Sequence, residues 1–272
     1  MSAPTDARVR TFHALHQAGC FVMPNPWDPG SARLLAARGF PALATTSAGM
    51  AWALGHRDND VSRDEVLAHL TAMAAAVDVP VNADFEGGFA VEPEGVAASV
   101  ALAVTTGIAG LSIEDSTGEA AEPLLSRALA IDRIRAARRA IDASGTGVLL
   151  TARTEGFIVG RPDLAETVAR LAAFADAGAD CLYAPGLRTE AEIAAVVAAV
   201  SPKPVNLLVH APFITVAAAA QLGVRRISVG GALARVAWAG VLAAADEIAG
   251  HGTFGALAHG APSSLLNDRF SR

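Results

Sequence analysis

The sequence predicts a single α/β domain folded as a (β/α)8, TIM-type barrel, and three observations predict it. A short continuous apolar run, then an Ala-rich helical stretch, then Gly or Pro, recurs eight times along the 272 residues. Runs of this kind suit parallel strands buried on both faces. The helical stretches open on Ser, Asp or Pro and close on Gly, residues that satisfy the free backbone groups of helix ends. Eight such units in about 250 residues is the arithmetic of a closed barrel. A doubly wound open sheet would carry a Gly-rich phosphate turn after its first strand, and none is present. No linker or low-complexity segment divides the chain, so residues 1–272 read as one domain with a C-terminal extension from about 254 to 272.

The units follow in order. Phe21-Val22-Met23 is the first strand, ending in PNPWD, with GSARLLAARG as its helix. PALATTSAG and SRDEVLAHLTAMAAAV form the second unit, and PVNADFEGG and PEGVAASVALAVTTG the third. GLSIEDS and SRALAIDRIRAARRAIDASG are the fourth, GVLLTARTE and DLAETVARLAAFADAG the fifth. CLYAPG with EAEIAAVVAAV, PVNLLVH with PFITVAAAAQLG, and RRISVGG with LARVAWAGVLAAADEIAGHG complete the set. Two segments stand outside the repeat: Ala51 to Asp60, an insertion after the second strand on the active-site side, and Phe254 to Arg272, which should pack on a neighbour or the barrel base.

Composition removes whole classes of function. With 52% hydrophobic and 18% charged residues the chain has ample core and is not disordered. No uncharged, unbroken run reaches the ~20 residues of a membrane span, and a net charge of −6 argues against a nucleic-acid partner. Cys20 and Cys181 are too isolated for a disulfide framework or zinc cluster. The opening MSAPTDARVR lacks a secretory apolar stretch, so a cytoplasmic location is expected. Of 21 basic residues, Lys203 is the only lysine, and it lies between Pro202 and Pro204 ahead of the seventh strand, at the unreactive end. Imine chemistry is thereby excluded, and no P-loop or GxSxG elbow is present. Cys181 reads as a core residue, and His13, His16 and His69 as helix residues.

In such a barrel the chemistry lies at the C-terminal strand ends. Strand three ends in Asp84-Phe85-Glu86, placing two carboxylates on one side of an alternating strand; strand four ends in Glu114-Asp115, and strand five in Arg153-Thr154-Glu155. Carboxylates crowded at one rim repel unless a cation intervenes, and an oxygen-only set suits a hard ion, Mg2+ or Mn2+. Arg153 suits bidentate capture of a substrate carboxylate. The competing reading is a ring of ion pairs capping the barrel.

The segments PNPWDPGSARLLAARGFPALATTSAG, LGHRDND, NADFEGGF, GLSIEDS, TARTEGF and VRRISVGGAL, in this order and spacing, resemble the isocitrate lyase/phosphoenolpyruvate mutase superfamily across nearly the whole chain. The resemblance implies a Mg2+-dependent barrel enzyme, often a tetramer whose subunits exchange the eighth helix, acting on 2-oxo or 2-hydroxy carboxylic acids through an enolate. By position, Asp84 looks like the direct metal ligand, with Glu86 and Glu114 holding the metal or its waters. Glu86 stands where the family frequently has Asp. Arg153 is similar to the arginine that grips the substrate carboxylate, and Asp58 to an active-site aspartate near the reacting group. Thr46, Ser47 and Ala48, with Gly49 sharing the role, match the turn that binds the oxo-acid end. Glu155, Asn206 and His210 are candidates for proton transfer, and Asn206 also for substrate binding.

The sequence departs from the family after strand four. Isocitrate and methylisocitrate lyases carry a KxCGH-type loop there, whereas this chain reads IEDSTGEAAEPLLSRALA, without Cys, Lys or His. The expectation is a Mg2+-dependent carbon–carbon lyase of a small 2-oxo or 2-hydroxy acid, working as a dimer or tetramer. The alternatives are P–C bond hydrolysis or mutation, oxo-acid decarboxylation, or an oxo-acid-binding protein without turnover.

Overall fold

A computed structural model describes residues 7–270. Residues 1–6, on which part of the leader expectation rests, and 271–272 lie outside the described residues. Eight parallel strands form the barrel: β1 (Phe21–Met23), β2 (Leu43–Ala44), β3 (Val81–Asp84), β4 (Gly110–Glu114), β5 (Leu149–Arg153), β6 (Cys181–Tyr183), β7 (Val205–Leu208) and β8 (Arg226–Ser228). They hydrogen-bond in the order β1-β8-β7-β6-β5-β4-β3-β2. The seam between β1 and β2 is drawn together by Ala44 N–H donating to Pro24 O (3.1 Å) and by the Asn25 amide donating to Thr45 O (2.8 Å). All eight predicted strands are present, which makes the fold a nearly closed (β/α)8 barrel.

The helices begin where the sequence supplies caps. Asp28 and Ser31 form a reciprocal capping box on Pro29–Ala36, Ser62 and Glu65 do so on Arg63–Ala76, and Thr189 and Glu192 on Glu190–Val200. The second unit differs from its reading. Strand β2 is only Leu43–Ala44, and Thr46 caps a helix over Ser47–Ala53, so the first residues of the predicted insertion are helical. The irregular part begins at Leu54.

The barrel interior departs from the usual layers of branched aliphatics. Alternate residues of neighbouring strands, Asn82, Ser112, Thr151, Asn206, Arg226 and Ser228, are all buried. The apolar core lies instead between strands and outer helices, where Leu111, Ile113, Ile134, Ile141 and Leu150 pack.

Helix Ala232–His251, the eighth of the repeat, buries only Ala234 among its 20 residues, whereas Arg127–Ser144 buries six of its 18. Val236, Trp238, Val241 and Leu242 are exposed along it. The C-terminal helix Ser263–Phe270 does not sit under the barrel. It lies on Pro29–Ala36, where Arg33 donates to Phe270 O (3.4 Å). No helix among the described residues is long and apolar enough to cross a membrane.

Candidate active site

Strand alternation carries Asp84, Glu114, Arg153 and Tyr183 to the C-terminal rim, each two residues beyond a buried interior side chain. Arg153 is the hub. Its terminal nitrogen lies 3.3 Å from Asp84 Oδ1 and 3.3 Å from Glu114 Oε2. The same guanidinium clamps Glu155, with Nε donating to Oε1 and a terminal nitrogen donating to Oε2 (3.0 Å), and lies over the Tyr183 ring at 5.2 Å. The opposite face of Asp84 is held by the segment that follows β2: Ser47 N–H and Oγ donate to Oδ2 at 3.1 and 3.0 Å, and Asp84 N–H donates to Thr45 Oγ1 (2.9 Å). Ser47 is the first residue of its helix, so Asp84 occupies the positive end of the helix dipole.

These groups line a cavity of about 170 Å3 whose walls include Thr46, Ser47, Ala48, Asp58, Asp84, Arg153, Tyr183 and Asn206. Gly49 is not among them. Its N–H donates to Thr46 Oγ1 (3.3 Å) as part of the helix cap, and a Cβ at this position would lie 2.6 Å from Thr46 Cγ2 and 2.9 Å from Trp27 Cβ. Gly49 is there for close packing, which corrects its reading as a ligand contact. Asn206 borders the cavity with its amide already committed, accepting from Arg226 Nε (2.9 Å) and donating to Ser228 Oγ (2.9 Å).

Glu86 is also displaced from its reading. Strand β3 stops at Asp84, and Glu86 sits in a tight turn at φ 48, so it does not continue the Asp84 side of an alternating strand. The turn arises because Phe85 is fully buried and packs edge-on against Phe89 (5.1 Å), pulling the chain inward. Buried Arg133 fixes it by donating to Glu114 O (2.9 Å), Ala90 O (3.0 Å) and Gly87 O. Glu86 and Glu114 consequently face an adjoining depression with Asn59 and Arg133, rather than the Asp84 cavity. Asp58 lies at the lip of the main cavity, on the exposed loop after Leu54.

Electrostatically the rim has too many acids. Burial first, and then the charges of Asp84 and Asp58, push Glu86 up to about 7. Burial pushes Glu114 up to about 8 against the pull of Arg153. Burial likewise raises Glu155, and desolvation followed by the Asp84 charge raises Asp58. Five carboxyls crowd around Arg153, with Arg133 the second guanidinium beside Glu86 and Glu114. Among the described residues no three acids converge closely enough to form a metal cage, because Arg153 bridges Asp84 and Glu114.

Several contributors were not legible as site residues. Asp115, 1% exposed, points away from the cavity and takes bonds from Thr154 Oγ1 (2.8 Å), Glu155 N–H (2.9 Å) and Arg170 (3.0 Å), which fixes the end of β5. Asn25 accepts from the N–H groups of Val229 and Gly230 (2.8 and 2.9 Å), closing the β8 side of the mouth. His210 lies outside the cavity lining and bonds Arg188 (3.1 Å). Cys20 and Lys203 sit just ahead of β1 and β7, at the opposite end of the barrel.

Strand ends that present acids around a buried guanidinium, above a polar cavity, define a (β/α)8-barrel enzyme. The family model for phosphoenolpyruvate phosphomutase matches residues 12–249, and the chain belongs to that family, within the phosphoenolpyruvate mutase/isocitrate lyase superfamily of lyases and mutases. A crystal structure from Burkholderia cenocepacia J2315, described provisionally as a lyase/mutase, is 46% identical with a TM-score of 0.94, covering 97% of this chain and 96% of that one. The structure of 2,3-dimethylmalate lyase is 27% identical with a TM-score of 0.84, over 96% and 92% of the two chains. Oxaloacetate decarboxylase of Bradyrhizobium diazoefficiens is 28% identical over 257 residues, 91% of this chain and 84% of that protein. Members of the superfamily typically use a divalent metal.

Proposed function

We propose that the protein is a Mg2+-dependent lyase, with Mn2+ as the alternative ion, cleaving a carbon–carbon bond of a small 2-oxo or 2-hydroxy carboxylic acid by way of an enolate. The observation that carries this reading is the Ser47–Asp84–Arg153 arrangement: a carboxylate, a helix N-terminus and a guanidinium facing one small cavity. About 170 Å3 accommodates five or six water volumes of roughly 30 Å3 each, which suits a small acid and not a large cofactor-linked substrate.

The donor types suit a hard cation, although the side chains as placed form no three-acid group among the described residues. The donors are all oxygen, and Asp84 lies on the cavity wall with Glu86 and Glu114 in the adjoining depression. Asp84 would bind the ion, and Glu86 and Glu114, which face the adjoining depression, would reach it through its waters. A bound Mg2+ supplies Lewis acidity toward the substrate's 2-oxygen. The chain does the rest. Arg153, whose fork holds Glu155, would meet the substrate carboxylate through its remaining terminal N–H, and the Ala48 N–H would receive its negative end while Ser47 N–H holds Asp84. Thr46 keeps that helix start in place through its cap on Gly49. Asp58 at the lip, with its carboxyl raised, is suited to hold a proton near the reacting group. Titration calorimetry tests the binding half: Asp84→Ala abolishes Mg2+-dependent binding of pyruvate, and Arg153→Lys weakens it clearly, since lysine keeps charge but loses the fork. Unchanged binding in Asp84→Ala overturns the assignment.

Oxo-acid decarboxylation is the second reading. It is favoured by the decarboxylase relative that aligns with 91% of the chain and by the segment Ser116–Leu125, a turn without Cys, Lys or His to protonate a departing fragment. The helix Ala232–His251 supports a homo-oligomer in which this helix covers a second copy, because its apolar side is otherwise in water. Light scattering on Val241→Glu should show smaller particles than the wild type. Unchanged size removes that surface from the interface.

A further inference from the structure

At the floor of the cavity lies a cation with no counter-ion. Arg226, on β8, is 1% exposed and is the largest fully buried side chain among the described residues. Its three partners are neutral: Nε donates to Asn206 Oδ1 (2.9 Å), and the terminal nitrogens meet Thr151 Oγ1 (3.0 Å) and His16 Nε2 (3.3 Å). His16 is neutral as well. Its Nδ1 donates to Phe12 O (2.7 Å), which leaves Nε2 as an acceptor, and burial followed by the nearby Arg226 charge lowers its pKa to about 3. No carboxylate pairs with Arg226 among the described residues. A buried guanidinium without an anion is costly, and natural proteins rarely keep one unless something compensates it.

What adjoins Arg226 is the ligand cavity. Arg226, Asn82, Ser112 and Ser228 line the same space as Asp84 and Arg153. Three of the five guanidinium N–H groups are engaged, which leaves two to donate. Asn82 Oδ1 is buried in this wall without a partner, so the floor is polar and incompletely satisfied. Asp58 and Asp84 at the rim repel any anion that enters, whereas the floor attracts one.

We propose that Arg226 is the counter-charge for a second acidic group of the ligand: the cavity takes dianionic 2-oxo or 2-hydroxy acids, with one carboxylate at Arg153 and the other turned down to Arg226. This rests on the oxo-acid reading above. Arg226 thereby sets specificity, and a methyl-terminated acid of the same length leaves the guanidinium buried and uncompensated.

The test uses isosteric pairs with Mg2+ present, 2-oxobutyrate against oxaloacetate and 2-oxovalerate against 2-oxoglutarate, measured by titration calorimetry. Wild type favours the doubly charged member of at least one pair by tenfold or more. Arg226→Gln reduces that preference to threefold or less, chiefly by weakening the dicarboxylate, and Arg226→Lys restores part of it. A second measurement needs no variant. The distal carboxylate of [5-13C]2-oxoglutarate, followed by NMR, titrates at least one pH unit lower when bound than when free. Binding of all four acids without charge preference, a preference that survives Arg226→Gln, or an unshifted distal carboxylate overturns the inference while leaving the oxo-acid reading standing. Failure of all four acids to bind removes both.

Discussion

Replacing Arg153 with Met should destabilise the protein in a strongly pH-dependent way. The guanidinium lies 3.3 Å from Asp84, 3.3 Å from Glu114 and in a two-pronged contact with Glu155, whose side chain is 4% exposed. At an effective dielectric of about 20, the 3.3 Å contact with Asp84 is worth about 5 kcal/mol of Coulomb energy before desolvation is subtracted. Removing one member of a buried pair typically costs about 3–5 kcal/mol. The acids have an escape, because they can take up protons. From an unfolded value of 4.5, holding a carboxyl neutral at pH 7 costs about 3–4 kcal/mol, and at pH 5 less than about 1 kcal/mol. Glu114, already at about 8, is largely protonated at neutral pH, so the new burden falls on Glu155. The substitution raises the folded pKa of Glu155 further, the native state then binds more protons than the unfolded state, and stability falls as pH rises. Urea unfolding should show Arg153→Met less stable by about 3–5 kcal/mol at pH 7 and by about 1–2 kcal/mol at pH 5. A loss below about 1 kcal/mol at pH 7, or an equal loss at both pH values, would refute the reasoning.

Two further predictions follow from the same rim. Glu86 and Glu114, raised from 4.5 to about 7 and about 8, favour the fold in their neutral forms, so this contribution is present in full below pH 4.5 and is lost as pH rises through 7 and 8. The metal-free protein should lose about 1.4 kcal/mol per pH unit for each retained proton across that window; a thermal midpoint that does not move between pH 5 and 8 contradicts it, and saturating MgCl2 should flatten the slope. Gly49→Ala places a methyl 2.6 Å from Thr46 Cγ2 and 2.9 Å from Trp27 Cβ. It should cost about 1–3 kcal/mol and weaken oxo-acid binding by moving the Ser47 N–H, and wild-type stability and affinity would show that the packing yields.

The strands were legible because each is a brief apolar run between turn residues, a signal independent of tertiary detail. The site was legible where strand alternation holds to the last residue, as at Glu114 and Arg153. It failed at Glu86, where the strand ends at Asp84, ahead of buried Phe85 and two residues sooner than the pattern implied. The Thr46 cap was visible as a Thr ahead of Ser-Ala-Gly, yet the apolar run before it concealed the helix start. Arg226 was hidden most thoroughly. In VRRIS two arginines read alike, and only the alternation of β8 separates Arg225, which reaches outward to Gly19 O (2.6 Å), from Arg226 inside the barrel. A buried charge whose partners are Asn206, Thr151 and His16 depends on strands far apart in sequence.

The central claim is that the Asp84–Arg153 rim turns over a small oxo or hydroxy acid by breaking a carbon–carbon bond. The most direct measurement is 13C NMR of the purified protein with Mg2+ and labelled malates, isocitrates and oxaloacetate, beside Asp84→Ala under the same conditions. The account predicts that at least one acid releases a labelled two- or three-carbon oxo acid, and that Asp84→Ala stops this release. Binding of these acids without any product, or equal release by Asp84→Ala, would contradict it.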